Sequence, residues 1–244
     1  MVSVVGSRKV SAYGKAVTSQ LATGLARAGV VIVSGLAIGV DSIAHKATVE
    51  AGGQTIAVLP AGLDRIYPTS HTYLARQILE QGGALVSEYP PGSTPYPLNF
   101  IARNRLVSGL SSVVLITEAS EKSGTLHTAR FALEQGKEVL VVPGNITSPT
   151  SKGTNNLLKV GATPVTDLSD ILQVLGITGG QTARPIGDTL QQQTILDLLY
   201  DGHADGDELL QASQMDIAQF NQTITMLEIT GKVRALGSNQ WSLQ

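Results

Sequence analysis

Short, almost unbroken apolar runs alternate with longer stretches of helical periodicity over the first 175 residues. Val2–Val5, Val30–Ser34, Thr55–Leu59, Ala84–Ser87, Val113–Thr117 and Glu138–Val142, with a shorter run near Pro164–Val165, predict strands. Between them Ala12–Ala28, Ile38–Ala51, Tyr73–Gln81, Asn99–Gly109, Thr125–Gln135 and Asn155–Val160 predict helices. The strands are nearly continuous apolar runs, as expected when helices cover both faces of a sheet. This alternation predicts an α/β fold, an extended Rossmann-like sheet that is doubly wound and mostly parallel.

The pattern then changes. Residues 176–189 (GITGGQTARPIGDT) are rich in Gly, Thr and Pro without periodicity and predict a linker. Beyond it, Leu190–Leu199 reads as an amphipathic helix, Gly206-Asp207-Glu208 opens a second and Ile217–Ile229 forms a third. Gly231–Gly237 and Gln240–Leu243 then alternate as a hairpin. Three helices and a hairpin suggest a winged-helix-like domain over 190–244, after a Rossmann-like domain over 1–175.

Composition narrows the function. A chain of 244 residues can bury one large and one small core. It has no cysteine, which excludes disulfides and thiolate metal sites. No apolar run approaches membrane-spanning length, and the Met1–Val5 start is too short for a signal peptide, so a cytoplasmic protein is expected. The net charge of −2 argues against a protein that coats duplex DNA. Residues 1–175, however, carry 14 Lys+Arg against 11 Asp+Glu, whereas residues 190–244 carry two basic residues against seven acidic ones. Any nucleic-acid site is therefore expected in the first part.

Ligands of doubly wound sheets bind outside the carboxyl ends of the strands, where the strand order reverses. Those ends carry Gly6-Ser7-Arg8, Ser34-Gly35-Leu36-Ala37-Ile38-Gly39-Val40-Asp41, Glu118–Thr125 (with Ser123-Gly124-Thr125) and Pro143-Gly144. Glycines and small hydroxyls before helices can hold a phosphate with backbone N–H groups, or can simply make tight turns. Arg8, His45, Lys46, Arg103 and Arg105 could supply positive charge at that edge. His45 reads equally as a packed core residue. Phe100 stands beside Arg103, Asn104 and Arg105 in a chain with few aromatics. An exposed ring there would stack on a base while guanidinium groups hold the backbone; the bland alternative buries Phe100 and leaves the arginines solvated. Neither a G-x-G-x-x-G fingerprint nor a Walker sequence occurs, which speaks against NAD chemistry and ATP hydrolysis. No cofactor or metal ligand set is expected.

Taken in order, Gly6-Ser7-Arg8, the Ser34–His45 segment, Ile56–Asp64 with Tyr67-Pro68, Ser87-Glu88, Phe100–Arg105 with Gly109–Ser111, Glu118-Ala119 with Ser123-Gly124-Thr125 and Thr128-Ala129, Pro143-Gly144 and Gly153–Asn155 resemble the DprA/Smf family of DNA-processing proteins. The match spans nearly all of residues 1–165, and residues 190–244 are similar to the family's small C-terminal winged-helix-like domain. The resemblance implies a non-enzymatic protein of natural transformation and competence, acting in DNA recombination. It would bind single-stranded DNA in a basic pocket, protect it, dimerise through the Rossmann-like domain and load a RecA-type recombinase. By position, Arg8 would contact the DNA backbone and Phe100 would stack on a base. Two positions depart from the pattern: Pro97-Leu98-Asn99 and Thr69 stand where many members carry a basic residue. The chain also begins at the first strand, so the helical N-terminal domain of many relatives is expected to be missing or trimmed.

A rival enzyme reading starts from Ser123-Gly124-Thr125-Leu126, which resembles the centre of the P-G-G-x-G-T-x-x-E signature of nucleotide phosphoribohydrolases of the lysine-decarboxylase-like type. The acidic residue expected after the Gly-Thr pair is replaced by His127 or Thr128, and Glu134 lies further along. Cleaving an N-glycosidic bond calls for a carboxylate near the reacting carbon. A sequence-specific winged-helix repressor would need a basic recognition helix, yet Asp216–Ile229 contains no Lys or Arg.

Overall fold

A computed structural model of the chain describes residues 1–177, 185–237 and 239–243, and the chain divides into two compact units, Met1–Thr178 and Gly179–Gln244.

The first unit is a seven-stranded sheet flanked by helices. Its elements are β1 (Val2–Val5), α1 (Ala12–Arg27), β2 (Ile32–Ser34), α2 (Val40–Glu50), β3 (Thr55–Val58), α3 (Thr72–Glu80), β4 (Ala84–Val86), α4 (Pro97–Gly109), β5 (Val113–Ile116), α5 (Thr125–Glu134), β6 (Glu138–Val141), α6 (Lys152–Lys159), β7 (Thr163–Pro164) and α7 (Leu168–Val174). The spatial order is β4-β3-β2-β1-β5-β6-β7, and every pairing is parallel. The apolar runs thus become strands covered on both faces, the arrangement their lack of alternation predicts. One core packs Leu21 and Leu25 of α1, Val40 and Ala44 of α2, and Ile171 of α7 on Val2, Val4 and Leu115. The opposite core packs Val107 of α4 with Ala129 and Ala132 of α5 on Val5, Val114 and Ile116.

Local signals explain the element boundaries. Ser11 caps α1, its hydroxyl accepting from the Gly14 amide at 3.0 Å. Helix α4 starts two residues before the expected Asn99, because Pro97 fits a first helical turn that has no use for its missing N–H. Helix α7 was not expected from periodicity. Its signal is the capping box of Asp167 and Asp170.

The second unit contains α8 (Leu190–Tyr200), α9 (Gly206–Ser213), α10 (Ile217–Ile229) and an antiparallel hairpin of β8 (Val233–Gly237) and β9 (Gln240–Leu243). Ile195, Leu196, Leu199, Leu209, Phe220, Ile224, Leu227 and Val233 form its own core. Of the segment read as a linker, residues 178–184 lie outside the described residues. Its ends are tied down: Ile177 N–H closes α7 on Leu172 at 2.9 Å, and Gly187 N–H donates to Gln193 Oε1 at 2.8 Å.

Candidate nucleic-acid interface

Strand order reverses between β1 and β5, so the loops leaving these two strands frame the crevice. They are bound together by backbone: Ser7 N–H donates to Glu118 O at 2.7 Å, and Val40 N–H donates to Ser7 O at 3.1 Å. Such close approach dictates glycine. A Cβ on Gly6 would lie 2.6 Å from Val40 Cγ2 and 2.8 Å from Glu118 O. Gly39 has φ +95°, and its Cβ would sit 2.3 Å from Ser7 O. At Gly35 the space a side chain would need is filled by the Arg103 guanidinium, whose Cζ is 2.5 Å from the ideal Cβ position. Only Gly124, of the four, faces open space. Three of these four glycines, at the ends of β1 and β2, therefore serve packing, whatever ligand the loops also meet.

A cleft of about 530 Å³ opens at this edge. Its lining includes ten of the thirteen residues expected at the site, Gly6, Ser7, Arg8, Gly35, Phe100, Arg103, Asn104, Ser123, Gly124 and Thr125, together with Lys9, Asp41 and Tyr67. At the rim, the exposed Arg8 places its guanidinium carbon 5.3 Å from the centre of the Phe100 ring. Tyr67 meets the same ring nearly edge-on, centroids 5.3 Å apart at 70°. The ring is half-buried rather than lost in the core. Across the cleft, the Ser123 hydroxyl donates to Thr125 Oγ1 at 3.0 Å and accepts from Thr125 N–H at 3.3 Å. The Leu126 and His127 amides bond to Ser123 O and Gly124 O, so the first turn of α5 has little N–H capacity to spare.

The floor is different. Arg103 is 3% exposed, and its Nη1 donates to Gly35 O at 2.6 Å and to Val58 O, bolting α4 to the ends of β2 and β3. Asp41 Oδ2 accepts from Gly35 N–H at 3.1 Å and Ala37 N–H at 3.4 Å. Burial raises the Asp41 carboxyl above its ordinary range, opposed first by the Arg103 charge and then by the Ala37 and Gly35 amides. Burial likewise pulls Arg103 down, opposed by Asp41, but a guanidinium starts so high that it stays charged.

Three expected site residues stand elsewhere. His45 is fully buried, its Nδ1 2.7 Å from Thr55 Oγ1, and cannot reach a phosphate. Burial, then the charges of Arg103 and His71, push it down to about 3, so it is a neutral core imidazole. Lys46 lies on the outer side of α2, 3.6 Å from Glu50. Arg105 pairs with Glu88 away from the cleft. Conversely, Lys9, Asp41 and Tyr67 were not singled out. Tyr67 is the second aromatic residue of the cleft, set beside a proline in a chain where only 4% of residues are aromatic.

With that geometry in place, comparison with known proteins is informative. Residues 1–176 match the family described as DNA recombination-mediator protein A, and residues 180–239 match the DprA winged helix domain. The chain is similar to Protein Smf of Escherichia coli, 51% identical over 71% of this chain and 46% of that protein. It is also similar to a putative DNA processing protein DprA of Mycobacterium tuberculosis, 38% identical over 94% of this chain and 61% of that one. The chain thus spans about half to three fifths of the length of these relatives. Among solved structures, a study of the single-stranded DNA binding mode of Helicobacter pylori DNA processing protein A gives a TM-score of 0.66 at 38% identity, covering 72% of this chain and 80% of that one.

Proposed function

Because the chain belongs to the DNA recombination-mediator protein A (DprA/Smf) family, we propose that it binds single-stranded DNA in the cleft between β1, β5 and α4, as a DNA-processing protein of natural transformation. The observation that carries the reading is the Arg8–Phe100–Tyr67 cluster at the cleft mouth. At an exposed site Arg8 gains about 0.5–1 kcal/mol from the ring, whereas a charge-assisted bond to phosphate is worth about 1.5–3 kcal/mol. An incoming strand therefore draws Arg8 onto its backbone and leaves the ring for a base. Stacking is indifferent to sequence, because every base has a π-face. Protection of the bound strand, loading of a RecA-type recombinase, dimerisation through the first unit and a cytoplasmic location are further parts of the proposal, and family membership supports them.

The protein is read as a binder rather than an enzyme. Glu134, the carboxylate that a phosphoribohydrolase reading would enlist, pairs with Arg130 at 2.7 Å and does not line the cleft. Asp41 does line it, but two amides hold one of its oxygens. Release of free base from a nucleoside monophosphate, abolished by Glu134→Gln, would restore the hydrolase.

The decisive experiment is fluorescence anisotropy with labelled single-stranded and duplex oligonucleotides over a salt series. Preference for the single strand is expected. The affinity should fall with salt at a slope near −0.7 for each phosphate neutralised. Equal or tighter binding of duplex would overturn the proposal.

A further inference from the structure

The sheet edge holds a second concavity that the binding reading leaves unused. It has a volume of about 470 Å³ and is walled by Ser11, Tyr13, Pro143, Asn145, Ser148 and Ser151, at the carboxyl end of β6 on the other side of β1 from α2. The Tyr13 ring is half exposed, and its hydroxyl donates to Pro143 O at 2.9 Å, which fixes the ring's position. None of the residues lining the pocket is acidic, and the exposed Lys152 follows Ser151. The loop after β1 runs from the cleft to this pocket: Ser7, Arg8 and Lys9 line the cleft, and Ser11, with Tyr13 in the first turn of α1, lines the pocket. The loop is stiff. The Ser7 hydroxyl bonds the Lys9 amide at 3.1 Å and the Lys9 carbonyl at 2.9 Å, and the Ser11 amide is held by Glu118 Oε2 at 2.8 Å. Lys9 and Lys152 are exposed, and neither makes an ion pair among the described residues.

We infer that the Tyr13–Pro143 pocket is a second base subsite, taking a nucleobase of the same single strand that fills the Arg8–Phe100 cleft, with its phosphates crossing the Lys9 ridge. This rests on the proposed function. The physical case is that a ring held in place by its own hydroxyl, in a concave wall free of carboxylates and continuous with a cationic ridge, offers a flat stacking surface at little ordering cost.

The test compares Tyr13→Ala, Tyr13→Phe, Arg8→Ala and the parent, as full chains of matched melting temperature, binding oligothymidylates of about 4 and about 16 nucleotides, the range that single-strand sites span. Tyr13→Ala should weaken the long oligonucleotide about five- to a hundredfold and leave the short one unchanged, while Tyr13→Phe, which keeps the ring but loses its bond to Pro143 O, should fall between Tyr13→Ala and the parent. Photocrosslinking with one halogenated uracil moved along the long strand should label Tyr13 from one position and Phe100 from another. Parent-like binding of the long strand by Tyr13→Ala, with Arg8→Ala impaired, would overturn the second subsite and spare the cleft. Equal loss on both lengths would also overturn it, by making Tyr13 a support for the cleft. If Arg8→Ala binds like the parent and Phe100 is not labelled, the cleft reading falls, and this inference with it.

Discussion

The floor and the rim of one cleft use the same residue type for opposite ends. Arg103 is buried, spends its guanidinium on the Gly35 and Val58 carbonyls and holds α4 against the sheet. Arg8 is exposed, lies over an aromatic face and makes no ion pair among the described residues, so its charge is available. A basic residue near a cleft is therefore not evidence of ligand binding until its own partners are counted. Where backbone carbonyls already take the donors, the charge belongs to the fold.

The comparison breaks first at Arg103. Arg103→Ala leaves two carbonyls and Asp41 without their cation and should cost about 3–5 kcal/mol, lowering the melting temperature by roughly 6–20 °C. A variant that melts like the parent but loses DNA would move Arg103 to the rim. His45 probes the same floor through pH. An unfolded histidine takes a proton below 6.5, whereas His45 in the fold does so only near 3. Across that window the unfolded chain holds the extra proton, so stability falls as pH drops, by up to about 1.4 kcal/mol per unit. The raised Asp41 works in the opposite sense at the acid end, above its ordinary 3.8. Urea unfolding between pH 7 and 4 should show a shallower slope in His45→Gln than in the parent; identical slopes would place the acid sensitivity elsewhere.

The rim should respond in binding alone. Arg8→Ala should lose about ten- to a hundredfold in single-strand affinity with an unchanged melting curve. Unaltered affinity would remove Arg8 from the interface. Residues 190–244, with a net charge of −5, should contribute nothing favourable: residues 1–176 alone are expected to bind at least as tightly as the full chain. Loss of most affinity on truncation, or duplex binding by the isolated C-terminal piece at physiological salt, would defeat that charge argument. The smallest change is expected from Lys46→Ala, whose side chain lies on the outer side of α2 beside Glu50, with affinity within about twofold and stability within about 0.5 kcal/mol.

Much of this was legible in the sequence. Val2–Val5 is a strand as read, and the continuous apolar runs do form a parallel, doubly covered sheet. The site was harder, because lying together in sequence on a predicted helix does not tell which side chains share its inward face. Phe100, Arg103 and Asn104 are spaced i, i+3, i+4 and share one face of α4, whereas Arg105 is two residues from Arg103 and points elsewhere. The same spacing puts His45 on the buried side of α2 with Asp41 and turns Lys46 outward. Tertiary facts remained out of reach. Nothing local reveals that Gly35 makes room for a guanidinium arriving from α4, or that Tyr67 closes on Phe100.

The central position of β1 has a consequence for how the protein is made. The strand that comes first in this sheet's chain order sits in its middle, with Val2 registered to Ile32 on one side and to Val113 on the other. Until β5 has emerged, one edge of a strand that is apolar but for Ser3 waits without its partner, a long-range pairing that slows folding and leaves a sticky edge in the meantime. The crevice between β1 and β5 cannot exist before that pairing closes. A nascent or prematurely terminated chain ending before Val113 would thus carry Arg8 and Phe100 yet have no cleft in which to join them.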